Sequence, residues 1–342
     1  MIPPPLACPE HGPPAHPDHR FCEVCGRNLR TGETARTPPL VVANDVPAWV
    51  SSTADGASCA ACGTTDPARD GYCDHCGRRR TAGRDRAELD LGRVGGVTDR
   101  ARRRHNEDAI AIGWVDGATV AVVCDGVSTS TRADAASHAA ADAGIAAVVA
   151  ALRGGEGTDG ATAEGSRAAA AAARAVARPG DGNAPPSCTY VSAVVTADTV
   201  TVGWIGDSRA YWLSPTPGES ARLSIDDSVA GHLAAGRSLP AGAETERNSR
   251  ALIRWLGADS TDAEPAVVSR HPTGPGVVVI CSDGLSHYLS EPDALAAAVF
   301  AAVGPPVAVA RALTATAVDA GGHDNVAVAV LPFPPVEPEE ER

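Results

Sequence analysis

Apolar residues along this chain gather in short runs rich in Val and Ile and bounded by Gly, Asp or Pro, a pattern that reads as strands. The runs are Ile110–Val115, Thr119–Cys124, Tyr190–Val195, Val200–Ile205, Ala210–Leu213, Val277–Cys281 and Val326–Leu331. Ala-rich segments near Arg132–Leu152, Thr162–Ala177, Pro292–Val303 and Pro306–Val318 are long enough for helices, and Gly-rich breaks such as Arg153–Gly160 separate them. Several strands follow one another before the C-terminal helices, without a regular strand–helix alternation. That order predicts an α+β fold with antiparallel sheets covered by helices.

The first part of the chain has a different texture. Seven of the ten cysteines lie within the first 76 residues and form a repeat. Cys8 and His11 are followed, after ten intervening residues, by Cys22 and Cys25; Cys59 and Cys62 are followed, again after ten, by Cys73 and Cys76. Both copies end in an aromatic-Cys-x-x-Cys-Gly-Arg stretch, Phe21–Arg27 and Tyr72–Arg78. Four soft ligands in two close pairs suit a tetrahedral structural Zn²⁺, and the glycine after each second pair permits the tight turn that aims two sulfurs at one metal. In the first copy His16 and His19 compete with His11, although the shared register favours His11. Disulfides fit these spacings less well, since nothing suggests secretion. The segments resemble the short zinc ribbons found in tandem in bacterial proteins. The expected plan is ribbon 1 over 1–30, a Pro/Thr/Ser-rich linker over 31–57, ribbon 2 over 58–80, a polar linker over 81–90, the main domain over 91–332, and a disordered acidic tail over 333–342.

Composition narrows the function. Of 342 residues 44% are hydrophobic but only 4% aromatic, so the core must be aliphatic. Twenty-nine basic residues, all arginine, stand against 42 acidic ones, and the net charge of −13 excludes a general polyanion binder. The Arg cluster from Arg78 to Arg104 is interleaved with Asp85, Glu88, Asp90 and Asp99, so no nucleic-acid partner is expected. No apolar run approaches the ~20 residues of a membrane span, and Met1–Pro5 lacks the features of a signal peptide. A cytoplasmic protein with no membrane association is the expectation.

The candidate chemistry lies in where the acids fall. Asp125, Asp207 and Asp283 each follow an apolar run; Glu107 and Asp108 precede Ile110–Val115, and Asp324 precedes Val326–Leu331. Glycine after Asp125 and Asp283 allows close backbone approach to a ligand. Carboxylates that converge repel one another unless a cation neutralises them, and oxygen-only sets suit Mg²⁺ or Mn²⁺. Two such ions can activate a bridging water and stabilise charge on a phosphoryl group, which points to metal-assisted phosphate-ester hydrolysis.

In order along the chain, Arg103-x-x-Asn106-Glu107-Asp108, Val122-Val123-Cys124-Asp125-Gly126, Gly206-Asp207-Ser208-Arg209-Ala210-Tyr211, Cys281-Ser282-Asp283-Gly284-Leu285 and Asp324-Asn325-Val326 resemble the motifs of the metal-dependent protein phosphatases, or protein phosphatase type 2C, of the bacterial kind. The resemblance spans nearly all of 93–331. It implies a four-layer α-β-β-α sandwich with two antiparallel sheets. It also implies that Asp125 bridges two Mn²⁺ or Mg²⁺ ions, that the Gly126 carbonyl ligates the second, and that Asp283 and Asp324 complete the first. Glu107 and Asp108 would hold waters around the second ion, and Asp207 with Asp283 a third, weaker metal. Arg103 would clamp the substrate phosphate, and a metal-bridging hydroxide would attack phosphorus directly, with no phospho-enzyme.

The sequence also departs from that family. Val127-Ser128-Thr129-Ser130 replaces the usual Met-Gly-Gly, and the histidine that animal members carry after the glycine is absent, leaving metal-bound water or His105 as the proton donor. Relatives carry a flap where this chain has Pro217–Glu246, and no residue is assigned there. Cys124, Cys188 and Cys281 read as small buried residues rather than redox sensors, and Arg209 as half of a structural ion pair. The resulting expectation is a serine/threonine protein phosphatase in bacterial signalling, acting on phosphorylated proteins made by Ser/Thr kinases, with zinc ribbons that dock a protein partner. The alternatives are a catalytically silent sensor or scaffold, favoured by Val127–Ser130, and a hydrolase of small phosphate esters.

Overall fold

The apolar runs form the inner strands of two antiparallel sheets. A computed structural model describes residues 48–53, 85–115, 117–239, 251–260 and 262–335, with the single positions 7, 9 and 29. Two units are distinguished, one of 1–47 and 54–83, the other of 48–53 and 84–342, and the second contains the elements below. Cys8, His11, Cys22, Cys25, Cys59, Cys62, Cys73 and Cys76 lie outside the described residues.

In spatial order, one sheet contains β1 (Trp49–Ser51), β4 (Ala109–Val115), β5 (Ala118–Cys124), β7 (Tyr190–Val195), β8 (Val200–Ile205) and β12 (Ala266–Arg270). The other contains β10 (Ala221–Arg222), β9 (Arg209–Leu213), β13 (Gly276–Cys281), β14 (Val326–Phe333), β3 (Gly95–Asp99) and β2 (Arg86–Asp90). A small separate pair joins β6 (Ser187–Cys188) to β11 (Leu256–Gly257). The helices are α1 (Ala133–Arg153), α2 (Thr158–Ala175), α3 (Val229–Ala234), α4 (Asp283–Ser286), α5 (Pro292–Ala301) and α6 (Pro306–Asp319).

Successive side chains on a strand point to opposite faces, and here both faces are covered. On β5, Val120, Val122 and Cys124 face α1 and α2, while Ala121 and Val123 meet the other sheet. On β14, Ala327, Ala329 and Leu331 face the seam between sheets, while Val326, Val328 and Val330 pack with Leu295, Val307 and Leu313 of α5 and α6. The result is the expected four-layer α-β-β-α sandwich. Double burial is why the strands read as unbroken apolar runs.

Three boundaries differ from the sequence reading. Trp49–Ser51, inside the segment read as linker 31–57, is an edge strand on β4, and Ser52 donates to the Ile110 carbonyl at 2.8 Å. Arg86–Asp90, read as linker 81–90, is the edge strand β2 paired with β3; its polar alternation suits an edge and hid it among apolar runs. Phe333, placed in the tail, ends β14 and meets Trp212 edge-to-face at 5.5 Å. The tail residues 336–342 lie outside the described residues. Helix α1 is long and apolar enough to cross a membrane, but Ala136, Ala140, Ile145 and Val148 are buried against the first sheet and α2.

Candidate active site

Asp125 emerges from the end of β5, where the central strands of the first sheet stop. Thr189, just before β7, grips it from both sides: its N–H donates to the Asp125 carbonyl at 2.8 Å, and its Oγ1 accepts the Asp125 N–H at 3.1 Å. The same hydroxyl lies 2.7 Å from Ser208 Oγ, so the Gly206-Asp207-Ser208 corner leaving β8 is fixed to Asp125. Gly206 adopts φ +104°, and a Cβ there would lie 2.7 Å from Thr189 Cγ2. Only glycine fits this corner.

The second sheet delivers the other acids. β13 ends at Cys281, and α4 begins with Asp283. Ser282 donates to Asp108 Oδ2 at 2.7 Å and accepts the Ala327 N–H at 2.9 Å, which ties Asp108 to both β13 and β14. Asn325 organises the loop ahead of β4: its Oδ1 accepts the Glu107 N–H at 2.8 Å, and its Nδ2 donates to the carbonyls of Arg100 and His105 at 2.8 and 2.9 Å. Gly284 makes the approach of α4 to β14 feasible, since a Cβ there would sit 1.8 Å from the Asn325 carbonyl oxygen.

Every acid expected from the sequence therefore arrives at one place, and the electrostatics show the crowding. Asp125 is pushed well above the carboxylate range by burial, and further by Asp108, Asp283, Asp207 and Asp324. Burial likewise raises Asp108 strongly, against the hydrogen bond from Ser282. Asp207 is pushed up to about 7 by burial, then by Asp283 and Asp226. Asp283 is raised by burial and by Asp324, while a hydrogen bond with Asp125 opposes the rise. Glu107 and Gly126 stand alongside: a Cβ on Gly126 would lie 2.7 Å from the Glu107 carbonyl oxygen.

Buried carboxyls crowded together without a counter-charge repel one another, and an oxygen-only donor set suits a hard divalent cation. The residues thus fit Mn²⁺ or Mg²⁺. Among the described residues no three such side chains already stand as a ligand cage.

Arg103 lies at the mouth. It forks onto Asp324, Nε to Oδ1 at 2.8 Å and Nη2 to Oδ2 at 3.1 Å, and Nη2 also donates to Ser128 Oγ at 2.9 Å. Ser128 donates in turn to Glu107 Oε2 at 2.8 Å. Ser128 belongs to the stretch that departs from the family pattern, so that departure is built into the site. Sequence reasoning gave no role to Ser128, Thr189 or Ser282, because short hydroxyls carry no spacing signal. Arg209 makes its ion pair with Asp226, Nη2 to Oδ2 at 2.7 Å, as expected. Cys124, Cys188 and Cys281 are buried; burial pushes the Cys281 thiol up to about 12, which leaves it inert.

The family model described as Protein phosphatase 2C matches residues 96–315, well over half of the chain. Among solved structures, the catalytic domain of the serine threonine protein phosphatase PstP, determined with two manganese ions, is 26% identical, covers 70% of this chain and 97% of its own, and has a TM-score of 0.50. The Ser-Thr phosphatase MsPP of Mycobacterium smegmatis, in complex with cacodylate, is also 26% identical over 70% of this chain and 97% of its own, with a TM-score of 0.53. The serine/threonine phosphatase Stp1 of Staphylococcus aureus shares the fold at 21% identity, covering 69% and 93% with a TM-score of 0.57. No curated protein matches the chain. With the family model across both sheets and the converging acids at their ends, the chain belongs to the protein phosphatase 2C family.

Proposed function

We propose that the protein is a Mn²⁺- or Mg²⁺-dependent phosphatase acting on phosphoserine and phosphothreonine in proteins. The observation that carries this reading is the meeting of Asp108, Asp125, Asp207, Asp283 and Asp324 at the strand ends of a protein phosphatase 2C fold. The solved relatives named serine/threonine phosphatases support the substrate class.

In this reading Asp125 would be shared by two cations, and the Gly126 carbonyl would serve the second. Asp283 and Asp324 would serve the first, Glu107 and Asp108 would hold waters at the second, and Asp207 with Asp283 would hold a weaker third. The bound cations supply charge neutralisation at the phosphoryl group and an activated water. Arg103 trades Asp324 for the substrate, because a guanidinium fork matches two phosphoryl oxygens. Ser128 orients the arm of Arg103, and Asn325 holds the backbone that carries Arg103 and Glu107. The departing oxygen would take its proton from water on a bound cation or from His105, exposed on the same loop.

For the N-terminal segments, the Cys8, His11, Cys22, Cys25 and Cys59, Cys62, Cys73, Cys76 spacings support two structural zinc ribbons, over 1–30 and 58–80, that dock a protein partner. Cysteine spacings that suit a metal better than disulfides support a cytoplasmic setting. Elemental analysis of the purified chain should give two zinc ions, and one after Cys73→Ser.

The decisive experiment is Mn²⁺-dependent phosphate release from a phosphothreonine peptide by wild type and Asp125→Ala. Release that needs the metal and vanishes in the variant supports the proposal. A folded, metal-loaded wild type that releases nothing from the peptide or from small esters makes the silent scaffold the better reading.

A further inference from the structure

Beside Asp226 stands an acid with different partners. The Asp227 side chain is 1% exposed, and its carboxylate faces away from solvent on every side. Oδ2 accepts the backbone N–H of Gly206 at 3.1 Å and Arg254 Nη1 at 3.3 Å, while Oδ1 lies 3.3 Å from His232 Nε2 on α3. The backbone repeats the link: Asp227 donates to the Gly206 carbonyl at 2.9 Å and accepts from Ile253 at 2.9 Å. Ser228 bridges Leu252, and Arg254 continues to Asp262 at 3.1 Å and to the Glu264 carbonyl. The chain then enters β11, whose partner β6 directly precedes Thr189, the residue that grips Asp125.

Burying a carboxylate and a guanidinium together is poor value as stability alone, because desolvation offsets most of their attraction. What the arrangement does supply is position. Asp227 draws α3 and the 252–254 segment onto the left-handed Gly206, and the next residue is Asp207. Nothing in the proposed reaction otherwise uses Asp227.

We infer that Asp227 is a positioning residue: with Arg254 and His232 it locks the Gly206 backbone and thereby sets where Asp207 presents its carboxylate to the weaker cation. This rests on the proposed assignment of Asp207 as a cation ligand. The pairing joins α3 and the 252–254 stretch, for which the sequence gave no assignment, to the phosphatase site.

The test compares the full-length wild type with Asp227→Asn and with the double variant D227N/R254Q, which leaves no unpaired guanidinium if the single variant fails to fold. Mn²⁺ binding is read from the electron paramagnetic resonance signal of the free ion, and kcat and KM are measured on a phosphothreonine peptide at limiting and excess Mn²⁺. The expected result is a loss of roughly 10- to 100-fold in the affinity of the weakest Mn²⁺ class, the range for partners that orient a metal ligand, with the tighter classes unchanged. KM should hold, and kcat should drop at limiting Mn²⁺ and recover in excess. A weakest class untouched by either variant overturns the inference alone, as does an equal loss across all classes. A wild type with no weaker class overturns the Asp207 assignment and this inference with it.

Discussion

Arg103 and Asp324, 221 positions apart in the sequence, hold each other through two parallel contacts of 2.8 and 3.1 Å at the mouth of the acid cluster. Each has another proposed partner, phosphate for the guanidinium and a cation for the carboxylate. The pair therefore keeps both groups aimed before either ligand arrives. Replacing Arg103 with Ala should lower kcat/KM on a phosphopeptide by about 10- to 100-fold, since a charge-assisted contact contributes about 1.5–3 kcal/mol. Arg103→Lys should recover little, because an ammonium cannot fork. Steady-state kinetics on the three proteins check both statements.

Asp125 is repelled by four other carboxyls, so its removal should not weaken the metal-free fold. Thermal melts in EDTA should place Asp125→Ala at or above wild type. With Mn²⁺ at a hundredfold excess over Kd, wild type should gain about 2.7 kcal/mol, and the variant should gain much less. A variant that melts far below wild type in EDTA would give Asp125 a structural role instead.

Glu88 predicts an acid-side effect away from the site. Burial works to raise its carboxyl, but hydrogen bonds from Arg311 and Arg86 outweigh burial and hold it below its usual range. A lowered folded value means stability that is present above the unfolded pKa of about 4.3 and lost as pH falls through the folded value. Urea melts should show wild type more stable than Glu88→Gln by about 0.5–1 kcal/mol near neutrality, with the gap closing below pH ~4. An unchanged gap at low pH would assign the difference to packing.

Gly284→Ala sets a Cβ against the Asn325 carbonyl, where 1.8 Å leaves no room. The backbone must shift, at a cost of about 1–3 kcal/mol, and the shift moves Asp283 relative to Asp324. Activity should fall further than the melting temperature alone explains, as measured by residual turnover well below the new midpoint.

How much of this was legible depended on burial. The run Thr119–Cys124 announced β5 because both of its faces are covered, and Asp125 stood out as the polar residue that ends it. β2 escaped because Arg86 and Glu88 are held in ion pairs with Asp99 and with Arg311 of α6, and an edge strand of charges looks like a linker. β1 escaped because three residues in a proline-rich stretch carry no period. The five acids were visible as strand-end residues, and the ordered motifs named their family. Asp227 was not visible, because its meaning lies in Gly206, His232 and Arg254, which only the fold brings together.

The edge strand β1 has one more consequence. The chain leaves the first sheet at Ser51 and next enters the second sheet at Arg86, so residues 54–83 connect strands of different sheets. A single proteolytic cut between 54 and 83 would put β1 on a separate peptide, held to β4 by a three-residue ladder, by flanking bonds from Ser52 and Trp114, and by the packing of Trp49. Its departure would leave β4 unpaired from Ile110 to Trp114, an open edge of the kind that pairs with another chain. Covalent continuity through 54–83 is thus what keeps β1 and β4 on one chain.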